Sequence, residues 1–290
     1  MSALSRHDEA LRRVLETLYA EFHRPGFLDS DPLAFVHRFD DPADREVVAL
    51  IAASFAFGNV VTIRRAVEAV LRPLLPHPAQ CLRETEPREL ARLYRGFVYR
   101  WVRAQDVRLY LAWIGSALRA HGSLHAAWQQ VDRGEETILP ALGRWVGVMT
   151  AMPSSPLRER RRTVIRKSGT ESNLPSGARL LLTSPEGRSG CKRMNMFLRW
   201  VCRPDDGIDL GLWNVSPARL VMPVDTHVLK AARTLGLTRR RTADLRTALE
   251  ITEALRRVCP DDPTRYDFAL VRPGILRLRQ MLTADALTCD

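Results

Sequence analysis

Two stretches hold residues whose types could do chemistry. In "PVDTHV" an acid, Asp225, follows an extended Pro223-Val224 step and opens a helical run that carries basic residues. In "GCKRMNMFL" a base, Lys192, follows a Gly190-Cys191 turn into another helix. Each also has an ordinary reading. An Asp before an apolar-periodic run is an N-cap, accepting hydrogen bonds from the first free backbone N–H groups at the positive helix end. A Lys at a helix N-terminus is electrostatically out of place and reads as a surface side chain. Asp205, Asp206 and Asp209 are interrupted by Gly207. That spacing does not match the twelve-residue calcium loop and reads as a solvated turn. Trp200 and Trp213 flank it and read as buried anchors, with base stacking as the alternative.

The chain around these residues has 290 positions, 46% hydrophobic and 27% charged, which is a globular rather than a disordered composition. Its formal net charge is +11. That balance favours a polyanionic partner, since each Lys or Arg that neutralises a phosphate releases a counterion. The five cysteines are odd in number and lack C-x-x-C pairing, as expected for reduced thiols and against a zinc ribbon or a four-Cys cluster. No metal, iron–sulfur cluster or other cofactor is therefore expected. No window has the apolar length needed to span a bilayer. The segment "MSALSRHDEALRRVLETLY" reads as an amphipathic helix with mixed charges rather than a signal peptide. Together these features predict a cytoplasmic, nucleoid-associated protein without a membrane partner.

Nearly every segment has helical period, so the expected class is all-α. Residues 6–22 place Ala10, Val14, Leu15, Leu18 and Tyr19 on one face. Asp31-Pro32 and Asp41-Pro42 each pair a cap with Pro at the first helical position. The run from Val47 to Phe57 is apolar on all sides and predicts a buried central helix ending at Gly58. Shorter helices are expected at 78–84, 87–95, 106–120, 122–131 and 136–150. A Ser-, Pro-, Gly- and Arg-rich stretch at about 153–178 predicts a mobile basic loop. Order returns before Gly190, and helices are expected again at "TADLRTALEITEALRRVCP" and "DPTRYDFALVRPGIL".

The order of the two motifs resembles the helix-hairpin-helix DNA glycosylases, the superfamily of endonuclease III and oxoguanine glycosylase. There a hairpin leads into Gly-x-Lys and an Asn- and Leu-bearing helix, matched here by Gly190, Lys192, Asn195 and Leu198. The catalytic acid of that superfamily stands in Val-Asp-x-His, matched by Val224, Asp225 and His227. "VVALIAASFAFGNVVTIRRA" looks like the helix that lines its lesion site. More closely, most of the chain resembles a bacterial family of conserved hypothetical proteins, through "DPLAFVHRFDDPADREVVALIA", "GCKRMNMFLRWV", "LGLWNVSP", "PVDTHV" and "DPTRYDFAL".

The glycosylase resemblance implies a two-lobed helical fold with a cleft between the lobes. One lobe would be a central bundle at 46–203 with the hairpin; the other would comprise 1–45 plus 204–290. It implies that Lys192 attacks the sugar and holds it as an imine. Asp225 would stabilise the sugar cation and act as base. Arg188, Gly190, Arg193 and His227 would contact DNA, and Phe57 or Asn59 would fill the gap left by a flipped base. The partner would be duplex DNA, damaged at the target base and bound by a monomer. Strand cleavage is an allowed second activity. The chain departs from the pattern at Arg188, where the hairpin usually has Gly, and in the stretch "RPDDGIDLGLWNVSPAR", which must loop out between the motifs. The rival reading is a non-catalytic DNA-binding protein on the same scaffold.

Overall fold

The computed structural model describes residues 4–151, 176–187, 189–273, 277 and 279–281. Among them the chain is predominantly helical, with a single two-stranded hairpin. It divides into two compact units, one formed by Met1–Ala34, Asp132–Gly143 and Ser184–Asp290, the other by Phe35–Val131 and Arg144–Thr183. The division differs from the expected 46–203 bundle. The segment bearing Gly190 and Lys192 folds with the segment bearing Asp225, because the helix that follows Lys192 buries its apolar and charged residues among later parts of the chain.

Helix α1 (Arg6–Phe22) is capped by Ser5, whose hydroxyl oxygen accepts from the Asp8 N–H, and it buries Leu11, Val14, Leu15, Leu18 and Phe22. The inward stripe is rotated slightly from the expected one: Leu11 replaces Ala10, and Tyr19 is half-buried. At Asp31-Pro32 the cap forms, with Leu33 N–H on the Asp31 carboxylate, but Pro32–Arg38 winds as a 3₁₀ helix rather than an α-helix.

In the second unit, α2 (Pro42–Ser54) starts on the Asp41 carboxylate, and Val47 to Ala53 are wholly buried. It ends at Ser54, short of Gly58, because the Ala56 and Phe57 N–H groups turn back to Ala53 and Phe55. Two of its acids are buried for a structural reason. Asp44 accepts from the Ala79 N–H at 2.7 Å, and Glu46 from the Leu124 and His125 N–H groups at 2.8 and 2.7 Å. Those donors are unpaired N–H groups at the starts of two other helices, so α2 caps its own neighbours. These neighbours are α4 (Pro78–Glu84) and α7 (Leu124–Gln129), with α3 (Val60–Leu71), α5 (Pro87–Leu93) and α6 (Ala104–His121) completing the group. Between α5 and α6 lies a hairpin of β1 (Val98–Tyr99) and β2 (Val102–Arg103), pairing Tyr99 with Val102.

Helix α8 (Leu139–Ala151) follows, and α9 (Ser176–Leu181) packs on α6. The expected mobile loop lies outside the described residues over 152–175, and its last three positions belong to α9. The first unit resumes with α10 (Lys192–Cys202), α11 (Thr226–Thr234), α12 (Leu245–Val258) and the short α13 (Asp267–Leu270). The last of these is much shorter than the expected helix over "DPTRYDFALVRPGIL", since residues 262–266 form turns held by Asp262 and Thr264. Within this unit α1 packs against α12 and α13. Among the described residues no helix is long and apolar enough to cross a membrane.

Candidate functional site

The turn before α10 is built from small and polar groups. Ser189 pairs with Asp244 in an isolated antiparallel bridge, and a Cβ on Gly190 would sit 3.4 Å from the Ala243 oxygen. That is ordinary van der Waals contact, so the turn packs directly against the residues that precede α12. Cys191 then takes a left-handed conformation (φ 45°), rare for a residue with a Cβ. Asn195, fully buried, donates from its amide to the Gly190 carbonyl at 3.1 Å and so holds the turn to the helix it begins. The result sets Lys192 at the first position of α10.

Asp225 arrives from the other direction. Residues Leu220 to Val224 are buried and extended, and the Met222 N–H donates to the Thr252 hydroxyl of α12 at 3.0 Å. This anchors the Pro-Val step and aims the next residue. Asp225 Oδ1 accepts from the His227 and Val228 N–H groups at 2.8 and 2.9 Å, a complete N-cap. Its other oxygen, Oδ2, lies 3.6 Å from Lys192 Nζ. The two side chains are 28% and 34% exposed, so the pair is reachable from solvent. One carboxylate thus serves the helix with one oxygen and the lysine with the other.

Of the other candidates, Gly190 and Arg193 lie beside Lys192, and Arg193 is half-buried in the first turn of α10. His227 is exposed and takes part through its backbone N–H. Arg188 lies outside the described residues. Phe57 and Asn59 belong to the second unit. There Asn59 is the N-cap of α3, its amide oxygen accepting from the Thr62 N–H at 2.9 Å, and Phe57 is stacked against Trp101.

Behind Lys192 runs a chain of buried charges that the motifs did not announce. Arg199, two turns along α10, donates to Asp267 at 2.6 Å and to Asp209 at 2.9 Å. Arg203 donates to Asp209, to Asp262 at 2.7 Å and to Asp206 at 3.1 Å. His23, just past the end of α1, reaches the same Asp206 at 2.8 Å. Burial opposes the Arg203 charge, but Asp209, Asp262 and Asp206 more than offset it and raise its pKa. Burial also opposes the Asp206 charge; the His23 hydrogen bond, the Asp209 N–H and Arg203 outweigh it and hold the carboxyl below its usual range. Asp267 goes the other way. Burial, with Asp225 adding to it, pushes its carboxyl up to about 6 against the pull of Arg199 and Lys192.

The reading of 205–209 as a solvated turn holds for Asp205, Asp206 and Gly207, which are exposed, and fails at its end. Asp209 is fully buried, and the segment docks along the end of α10 through Leu210 N–H to the Trp200 carbonyl and Trp213 N–H to that of Val201. Trp200 and Trp213 are buried, as anchors should be. An Arg amid the apolar residues of α10 was the available signal, since a charge at a core position needs a buried partner.

No curated protein and no solved structure matches the chain. The family model described as "Protein of unknown function (DUF2400)" matches residues 31–276, a span that takes in Lys192, Asp225 and Asp267, and the chain belongs to that family.

Proposed function

We propose that the protein is a DNA-repair glycosylase of helix-hairpin-helix type, acting as a monomer on damaged duplex DNA, with Lys192 as nucleophile and Asp225 as its partner. The observation that carries this reading is the 3.6 Å approach of Lys192 Nζ to the Asp225 oxygen that the helix cap leaves over. A carboxylate so placed would stabilise positive charge developing on a sugar as the base departs. The lysine amine would attack the anomeric carbon while the bond to the base breaks and its electron pair leaves with the base. Asp225 would take the proton lost from the attacking nitrogen. The net charge of +11 supports a phosphate-bearing partner, and the turn at 189–191 supports the hairpin assignment. Breaking of the ring C–O bond, with the ring oxygen taking the proton held by Asp225 as the C=N bond forms, would then give the imine, and strand cleavage is a further step open to such a site.

The rival is a non-catalytic DNA binder, favoured by the completeness of the Asp225 cap, which accounts for that residue without any chemistry. Borohydride trapping on a panel of lesion-bearing duplexes separates the two. The glycosylase reading expects a covalent adduct with wild type on at least one lesion and none with Lys192→Gln. An absence of adducts and of base release across the panel, with DNA binding retained, would leave the binder.

A further inference from the structure

The second unit carries an aromatic surface of its own. Phe57, which the resemblance would place in the gap left by a flipped base, lies beneath other rings. Trp101 stacks on it with centroids 4.9 Å apart and planes 18° apart, and Tyr99 tilts against it at 4.9 Å. The outer ring is therefore Trp101, which is 46% exposed in the turn of the β1–β2 hairpin. Packing fixes its position. The Tyr99 hydroxyl donates to the Phe57 carbonyl, and Gly58 (φ +124°) has no room for a Cβ, which would fall 2.9 Å from that hydroxyl. The hairpin turn itself starts with Arg100 at φ 53°. Hairpins usually give such a place to Gly, Asn or Asp. Val60, Val61 and Val98, on the same two segments, are exposed as well.

Along the two segments that bear the rings, the charged side chains have one sign. Residues 57–67 and 90–105 contain no Asp or Glu. They expose Arg64, Arg65, Arg95, Arg100 and Arg103, with Arg92 paired to Glu89 just outside. The Arg100 guanidinium lies over the Trp101 ring at 5.0 Å. A protein partner would meet this rim with carboxylates but has no need of a flat stacked face. A nucleic-acid strand presents both matching features, planar bases joined by phosphates.

We propose that the Trp101–Phe57 stack is a platform for an unpaired base of a DNA strand, with Arg100 and the neighbouring exposed arginines holding the flanking phosphates. The proposal shares with the glycosylase reading only its ligand, DNA, and needs no catalysis by Lys192 or Asp225.

Tryptophan emission reads this directly. The other five tryptophans, at 113, 128, 145, 200 and 213, are buried, so a quencher in solution sees chiefly Trp101. The full chain is titrated with a single-stranded oligodeoxynucleotide and with an abasic sugar-phosphate oligomer of the same length, binding being followed separately by anisotropy. Single strands should quench the emission. Trp101→Ala should bind them about ten-fold more weakly, and Trp101→Phe within about three-fold of wild type, as a stacking contact requires. The abasic oligomer should bind wild type and Trp101→Ala alike, and Arg100→Gln should weaken both ligands. Unchanged emission at saturation, Trp101→Ala within two-fold of wild type, or an equal loss on the abasic oligomer would overturn the platform. Emission that responds to protein concentration and not to DNA would overturn it too, by making the surface an interface between copies. If quenching is seen while trapping at Lys192 fails, only the glycosylase chemistry falls.

Discussion

Lys192 Nζ and Asp225 Oδ2 meet at 3.6 Å across two helix starts, while Oδ1 of the same carboxylate is spent on the α11 cap. The two functions of one side chain can therefore be separated by substitution. Asparagine caps a helix about as well as aspartate, and a pair this exposed contributes at most about 1 kcal/mol. Asp225→Asn should melt within roughly that margin of wild type, whereas Asp225→Ala should lose a further ~1 kcal/mol with the cap. Base release by Asp225→Asn, on any lesion that wild type processes, should fall by about a hundred- to a thousand-fold. Equal rates in the two proteins would reduce Asp225 to a cap.

Arg199 serves two buried carboxylates, Asp209 and Asp267. Removing it leaves the buried Asp267 without its partner and Asp209 with Arg203 alone. Arg199→Ala should cost about 3–5 kcal/mol in urea unfolding, the range for breaking a buried ion pair. A loss below about 1 kcal/mol would mean that Arg203 and the backbone bonds hold the segment 204–213 without Arg199.

The Asp267 carboxyl, pushed up to about 6, makes a signed contribution to stability. A raised folded pKa means that the folded protein binds the proton more tightly than the unfolded chain. The contribution is complete below the unfolded value of about 3.8 and is lost as pH rises through about 6. Asp267→Asn lacks this titration, so its stability relative to wild type should improve between pH 4 and pH 7. Paired unfolding curves across that range measure the effect, and a difference that stays flat would place the Asp267 titration elsewhere.

The arginine-rich surface predicts steep salt dependence for DNA binding. With several phosphate contacts, affinity should drop by orders of magnitude between about 50 and 200 mM salt. Anisotropy titrations at three salt concentrations give the slope, and a flat line would end the nucleic-acid reading.

Much of the scaffold was legible because local rules speak for it. Asp41-Pro42 and Asp225 each cap a helix, and the all-apolar run after Val47 is the buried centre of its unit. The closeness of Lys192 to Asp225 could be anticipated only from the resemblance, since neither periodicity nor spacing relates residues so far apart. Arg199, Asp209 and Asp267 were missed for the same physical reason. An ion pair between distant segments leaves no local trace beyond a charge set among apolar neighbours. The hairpin at 98–103 was missed because each strand has two residues and its turn begins with Arg100 rather than a Gly-containing pair.

The first unit is assembled from three separated stretches of chain, and its opening helix lies against its closing ones. Glu16 of α1 accepts from the Tyr266 hydroxyl at 2.7 Å, and His23 reaches Asp206. During synthesis α1 is made well before its partners α12 and α13. Until then the stripe of Leu11, Val14, Leu15, Leu18 and Phe22 lacks the cover of α12 and α13. The residues of the second unit are complete by Thr183 and are free to fold meanwhile. A nascent chain stalled after that point should carry α1 with its apolar stripe not yet packed on α12 and α13, and so offer a site to a chaperone that binds apolar segments.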